Sequence, residues 1–288
     1  MRSRFTFLFV LLPALAAEAQ PTRIVSTLPS ATETLFALGV GDRVVGVSQY
    51  CHFPPDVLSL PKVGTYTKPD AEKIVLLRPD LVVISTTGAG LADRLSGLSI
   101  RTVAIRVGSL PEVFSMIHDI GAAAGVLGKA EHLNDQIRSR LENLRVQGAD
   151  RPKPSVLMIV GRTPGLLNNL TAAGASTYLS ELLQIAGGAN ALAASAISYP
   201  RISLETIVRL NPDVILDMSI MGESMGRPGR EERLRETWLS HRELTAVTKG
   251  NVFGLASETL VAPGPRVVDA VEEIRARLRT AIHQKVAR

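Results

Sequence analysis

The chain has little sulfur, few rings and no strong charge of either sign. Its 288 residues hold one cysteine, Cys51, so no internal disulfide can form and stability must rest on apolar cores. Aromatic residues make up 4%, with four tyrosines and one tryptophan. The formal net charge is +5, and basic residues are spread among acidic ones, which excludes the footprint of a nucleic-acid binder. In the densest charged stretch, 227–243, Arg230, Arg233 and Arg235 alternate with Glu231, Glu232 and Glu236, as on a solvated helix face. Five histidines, His52, His118, His132, His241 and His283, form no ligand-spaced cluster, which argues against a bare metal site. Neither a phosphate loop nor a Gly-x-Gly-x-x-Gly fingerprint occurs.

One apolar run stands out, from Phe5 to Ala17. Arg2 and Arg4 precede it and Ala17-Glu18-Ala19 ends it in a small-x-small pattern, so residues 1–19 read as a cleavable secretory signal peptide. The run contains Pro13 and is short for a membrane span. No cysteine lies beside the cleavage point to carry a lipid. A soluble, exported protein is expected, with its charge lowered to +4 once Arg2, Arg4 and Glu18 are gone.

The body of the chain repeats itself. Asp70 to Ser85 (DAEKIVLLRPDLVVIS) returns as Ser203 to Met218 (SLETIVRLNPDVILDM), with Glu72 on Glu205, Ile74 on Ile207, Val75 on Val208, Leu77 on Leu210, Pro79 on Pro212 and Asp80 on Asp213. Each copy reads as a short helix, a Pro-Asp turn that stops it, and an unbroken Leu/Val/Ile strand of the kind buried on both faces of a parallel sheet. Strands at Arg23 to Ser26 and Ser155 to Val160 precede the copies, and strands at Thr102 to Ile105 and Asn251 to Leu255 follow them. Closing helices are expected near Val113 to Ala124 and Val267 to Ile282. The alternation predicts an α/β chain of two Rossmann-like lobes with parallel sheets.

Between the copies, Leu133, Ile137, Leu141 and Leu144 form one apolar stripe in Lys129 to Gln147. A helix there would reach about 28 Å at about 1.5 Å per residue. The predicted organisation is an N-terminal lobe over 20–127, a single long linker helix over 128–150 and a C-terminal lobe over 151–288. Lobes on such a strut are expected to tilt slightly about a cleft.

Several segments in this order carry a resemblance: Arg23 to Gly39, Gly46 to Pro55 (GVSQYCHFPP), Leu60-Pro-Lys-Val-Gly64, both repeat copies, Gly187-Gly-Ala-Asn190 and Pro263-Gly-Pro-Arg266. Over nearly all of its mature length the chain resembles the helix-linked periplasmic binding proteins that deliver cobalamin, haem or ferric siderophores to ABC importers. The Tyr50-Cys-His-Phe-Pro-Pro55 segment looks closest to the cobalamin-binding branch, whose aromatic positions correspond to Tyr50, Tyr66 and Tyr199. The resemblance implies a ligand held between the lobes by loops at the carboxyl ends of the strands, where open parallel sheets form crevices. Tyr50, Tyr66 and Tyr199 are expected to stack on a flat macrocycle, with Arg162 and Arg266 among the ligand contacts; the rings could otherwise cap a lobe's core.

Cobalamin is the expected cargo, with no catalytic cofactor and no protein ligand to its metal. Haem or a ferric siderophore is the alternative: haem iron would take Tyr50 or His52, and the haem propionates would need basic groups such as Lys68, Arg162, Arg201 and Arg266. Cys51 reads as a small, partly buried thiol. The resemblance further implies that Glu72 and Glu205, one per lobe, dock on arginines of an inner-membrane permease; each could instead simply complement its helix dipole. A periplasmic monomer without nucleic-acid partners is expected. A rival from another class is a serine hydrolase using Ser224 of Gly222-Glu-Ser-Met-Gly226, which follows a strand. Arg227-Pro-Gly229 intervenes where an elbow needs a helix, and only Asp269 and His283 could complete a triad, so a non-enzyme is the expectation.

Overall fold

A computed structural model describes residues 20–149, 153–219 and 229–286. The expected signal peptide and the Gly222 to Gly226 motif lie outside the described residues. The N-terminal lobe runs β1 (Ile24–Ser26), α1 (Pro29–Ala37), β2 (Val44–Val47), α2 (Ala71–Leu76), β3 (Leu81–Ser85), α3 (Ala89–Ser96), β4 (Arg101–Ile105) and α4 (Leu110–Ala123). Its sheet has the order β2-β1-β3-β4 with every pair parallel. Then comes α5 (Leu127–Ala149), a single helix of 23 residues.

The C-terminal lobe runs β5 (Ser155–Gly161), β6 (Leu170–Ala172), α6 (Tyr178–Ala186), β7 (Ala189–Asn190), β8 (Arg201–Ile202), α7 (Leu204–Leu210), β9 (Val214–Asp217), α8 (Arg230–Trp238), α9 (Thr245–Thr248), β10 (Val252–Gly254) and α10 (Val267–Val286). Its parallel core, β7-β5-β9-β10, repeats the order β2-β1-β3-β4, so the duplication seen in the sequence is a duplication of topology. The parallel sheets expected of two Rossmann-like lobes are present, and the second carries an addition. β6 pairs antiparallel with β5, and β8 antiparallel with β6, adding an edge that the first lobe lacks.

The unbroken apolar strands are explained by cover on both sides. Along β3, Leu81 and Val83 face one core while Val82 and Ile84 face another, as period-two alternation requires. In β5 and β9, Val156, Met158, Val214 and Leu216 face one core and Leu157, Ile159 and Ile215 the other. The inner cores of the two lobes are one cluster, because α5 lies against α4 on one side and against α6 and α10 on the other. Ile137 and Leu141 of the expected stripe are buried in that cluster, with Leu133 and Leu144 packed partly against it.

The repeated Pro-Asp has the same task in both lobes. Asp80 accepts hydrogen bonds from the Thr22 and Arg23 amides at 2.7 and 3.0 Å, and Asp213 accepts one from the Ser155 amide at 3.1 Å. Each aspartate thus ties the start of the lobe's first strand to the turn before the third strand of its parallel core. Burial alone would raise the Asp80 pKa, but the Thr22 and Arg23 hydrogen bonds hold it below the ordinary value. The residues two before these aspartates, Arg78 and Asn211, both adopt left-handed backbone at φ 48° and 40°. The caps repeat too: Asp70 accepts from the Lys73 amide and Ser203 from the Thr206 amide.

Candidate functional site

The carboxyl ends of the parallel strands converge on a cavity of about 630 Å3 between the lobes. Leu28 after β1 and Pro29 and Ser30 at the start of α1 contribute, and the segment after β2 contributes Tyr50 and His52. Val107 and Gly108 follow β4, Met218 follows β9, and Glu258 with Leu260 to Pro263 follows β10. Such a crevice is what open parallel sheets produce at their carboxyl edges.

Tyr50, Tyr66 and Tyr199 all line this cavity, each about half exposed at 46%, 48% and 50%. Tyr50 and Tyr66 sit on the same lobe with ring centroids 6.0 Å apart and planes tilted by 59°, a separation at which paired rings attract. Gly64 sets the turn before Tyr66: its φ is 95°, and a Cβ there would lie 2.6 Å from the Lys68 carbonyl oxygen. Burial raises the Tyr199 pKa, so its hydroxyl stays a neutral donor at neutral pH. The fourth tyrosine, Tyr178 at the start of α6, also lines the cavity, which the sequence reading passed over. It is buried, its hydroxyl lacks a hydrogen-bond partner, and burial followed by the nearby Glu181 and Glu33 charges raises its pKa. Its signal in the sequence is position alone, because it opens a helix just after a strand of the second lobe.

The two arginines expected at the ligand are engaged elsewhere. Arg162, with its side chain 1% exposed, donates from Nε to Asp217 Oδ2 at 2.9 Å, and Trp238 Nε1 donates to the same oxygen at 3.2 Å. Arg266 donates from Nε to Glu33 Oε2 at 2.8 Å, and its Nη2 to Glu33 Oε1, bridging the lobes. Its guanidinium also lies over the Phe53 ring, 4.0 Å from the centroid. Neither arginine lines the cavity, and Lys68 and Arg201 are exposed and do not line it either. Burial raises the Glu33 pKa, while hydrogen bonding and charge from Arg266 pull it back.

His52 and Glu258 face each other across the lobes, with Nδ1 2.8 Å from Oε1, and both line the cavity. Cys51 differs from the expected partly buried thiol: it is fully enclosed, 3.2 Å from Thr32 Oγ1, and burial raises its pKa. Glu72 and Glu205 are exposed second residues of α2 and α7, at matching places on the two lobes. Of the rival triad, Asp269 sits near Arg140 of α5 at 4.0 Å and is not at the cavity. Among the described residues no helix is long and apolar enough to cross a membrane.

A family model described as periplasmic binding protein matches residues 24–259. The vitamin B12-binding protein of Vibrio cholerae serotype O1 is 31% identical over 287 aligned positions that cover 97% of both chains. Among solved structures, the periplasmic vitamin B12 binding protein BtuF of Vibrio cholerae is 28% identical with a TM-score of 0.72, over 91% of this chain and 98% of that one. The periplasmic heme-binding protein RhuT from Roseiflexus sp. RS-1 is 25% identical with a TM-score of 0.77, over 90% and 98%.

Proposed function

We propose that this chain, which belongs to the periplasmic binding protein family, captures cobalamin in the cavity between its lobes and carries it to an ABC permease in the inner membrane. One observation carries the choice of ligand: tyrosines from both lobes line the cavity, while no lysine or arginine does so among the described residues. A corrin offers broad apolar faces and a rim of amides, which suits rings and hydroxyls. Haem brings two propionates, and a haem cleft would hold cations free to meet them. The basic groups best placed for that task, Arg162 and Arg266, are already paired with Asp217 and Glu33. The full-length likeness to vitamin B12-binding proteins supports the same choice.

In this reading Tyr50, Tyr66 and Tyr199 stack on the macrocycle, and the unpartnered Tyr178 hydroxyl offers a donor to a peripheral amide. Arg162 and Arg266 hold the walls through their carboxylate partners. The protein works in the periplasm after removal of the first 19 residues. Glu72 and Glu205 present one carboxylate per lobe to arginines of the permease; exposed pairs of that kind set orientation and encounter rate more than affinity. Isothermal titration with cyanocobalamin, alongside absorption spectra after addition of haem, tests the reading. Tight cyanocobalamin binding with no haem spectral shift is expected. Haem binding without cobalamin binding would overturn it.

A further inference from the structure

Two carboxylates face the cavity, and they differ in what offsets them. Glu33 is held by both donors of Arg266, so that pair is neutral as a unit. Glu258 has His52 as its neighbour, and its side chain is 30% exposed. Lys62 stands behind the His52 loop with its Nζ donating to the Cys51 and Val57 carbonyls. Glu258 therefore faces an imidazole and no lysine or arginine of its own, since the Arg266 charge that also acts on it is committed to Glu33.

We propose that Glu258 is a specificity-determining residue that bars carboxylate-bearing chelates from the cavity, with His52 setting its orientation. The inference rests on the inter-lobe cavity being the ligand site. Discrimination between two macrocycles of similar size needs a repulsive element as well as attractive ones. The tyrosines, leucines and prolines of the lining do not by themselves tell one large ring from another. What separates an amide-rimmed ring from an acid-rimmed one is charge. A ligand carboxylate brought within about 10 Å of Glu258, at an effective dielectric near 20, is disfavoured on the order of tenfold. The His52 Nδ1 contact holds the Glu258 carboxylate toward the opposite lobe, at the cavity wall.

The test uses probe pairs that share a macrocycle and differ in carboxylates: haem against its dimethyl ester, and cyanocobalamin against the monocarboxylate made by hydrolysing one peripheral propionamide. With the full mature chain at low salt, the neutral member of each pair that binds should bind more tightly, on the order of tenfold per carboxylate near Glu258. Glu258→Gln keeps the shape and removes the charge, so it should bring the ratio toward one. His52→Lys should act in the same direction by supplying a fixed cation, and His52→Gln should leave the ratio near that of the unaltered protein. Added salt should shrink the ratio in the unaltered protein and leave it flat in Glu258→Gln, which a purely structural role would not produce. An unchanged ratio in Glu258→Gln, or a preference of the unaltered protein for the acid, overturns the inference. Binding of the haem pair without cobalamin removes the proposed cargo and leaves the charge effect to be read on the haem pair alone. Binding of none of the four molecules overturns both.

Discussion

Arg266→Ala should show that the floor between the lobes is held by a charge pair. Removing one partner of a buried ion pair costs about 3–5 kcal/mol, because the remaining charge is stranded. Glu33 is the stranded group, with its side chain 4% exposed, whereas Arg266 is 23% exposed and carries less of the desolvation. The variant has one escape, which is for Glu33 to take up a proton. For a carboxyl of ordinary pKa 4.5, protonation at pH 7 costs about 3.4 kcal/mol at 1.36 kcal/mol per unit, and this caps the electrostatic loss. Losing the guanidinium over Phe53 adds about 0.5–1 kcal/mol. The expected loss is about 3–4 kcal/mol at pH 7. Its pH dependence follows from the sign of the shift. Without Arg266, burial raises the Glu33 pKa further, so the folded state holds a proton that the unfolded chain has lost. The variant's stability is then greatest below about 4.5 and falls as pH rises toward the raised value, so its deficit shrinks between pH 7 and pH 5. Urea unfolding at both pH values, followed by circular dichroism and by Trp238 fluorescence to test for a single transition, measures this. Glu33→Gln should cost less, about 1–2 kcal/mol, with little pH dependence. A deficit for Arg266→Ala below about 1 kcal/mol, or equal at the two pH values, would refute the assignment.

Tyr50→Ala, Tyr66→Ala and Tyr199→Ala should each weaken cyanocobalamin binding by about 1–3 kcal/mol in titration calorimetry; unchanged affinity in all three would move the ligand elsewhere. Asp80→Ala should lower stability by about 1–2 kcal/mol, more than Asp213→Ala, since Asp80 accepts from both the Thr22 and Arg23 amides. Because those bonds hold Asp80 below 3.8, its contribution is complete above that pH and is lost as pH falls through the folded value, so denaturation curves of variant and parent should merge in strong acid. Glu72→Arg with Glu205→Arg should abolish uptake in cells carrying the permease and leave the solution affinity for cyanocobalamin unchanged; a matching loss of affinity would sink the docking role.

Much of the architecture was legible because it is set by burial that leaves a mark on every residue. Leu81 to Ile84 and Val214 to Leu216 are apolar without interruption since both faces of each sheet are covered. The Pro-Asp repeat stood out because Asp80 and Asp213 perform one hydrogen-bonding task twice. The antiparallel edge was hidden, as Leu170–Ala172 and Arg201–Ile202 are too short to carry a period and take their direction from the neighbouring strand. Charge was read least well. A loop arginine looks available until its partner is found, and the partner of Arg266 is Glu33, 233 positions away on the buried helix α1. Glu258 has the same obscurity, since its meaning depends on Arg266 being committed to Glu33 and on His52 being its own partner.

The continuity of the core also limits how a ligand can enter. Prying the lobes apart along α5 would expose Ile137 and Leu141 together with partners such as Leu183 and Ile274. At about 1.5–3 kcal/mol for each such side chain, four of them cost about 6–12 kcal/mol, comparable to the whole stability of a typical domain. The pairs across the cavity are unequal as well. Glu33–Arg266 is buried on its acid side and costly to break, while His52–Glu258 is exposed at 43% and 30% and is worth about 0–1 kcal/mol. Entry should therefore proceed by opening of the exposed His52–Glu258 contact and local movement of Tyr50 and His52, with α5, the enclosed Cys51 and the Glu33–Arg266 pair left in place. Hydrogen exchange with and without cyanocobalamin reads this directly: added protection is expected at residues 48–53, where the Cys51 amide bonds the Ser48 carbonyl, and none along α5. Ligand-dependent protection spread through α5 would mean that the lobes hinge as whole bodies, and the loop would not be the gate.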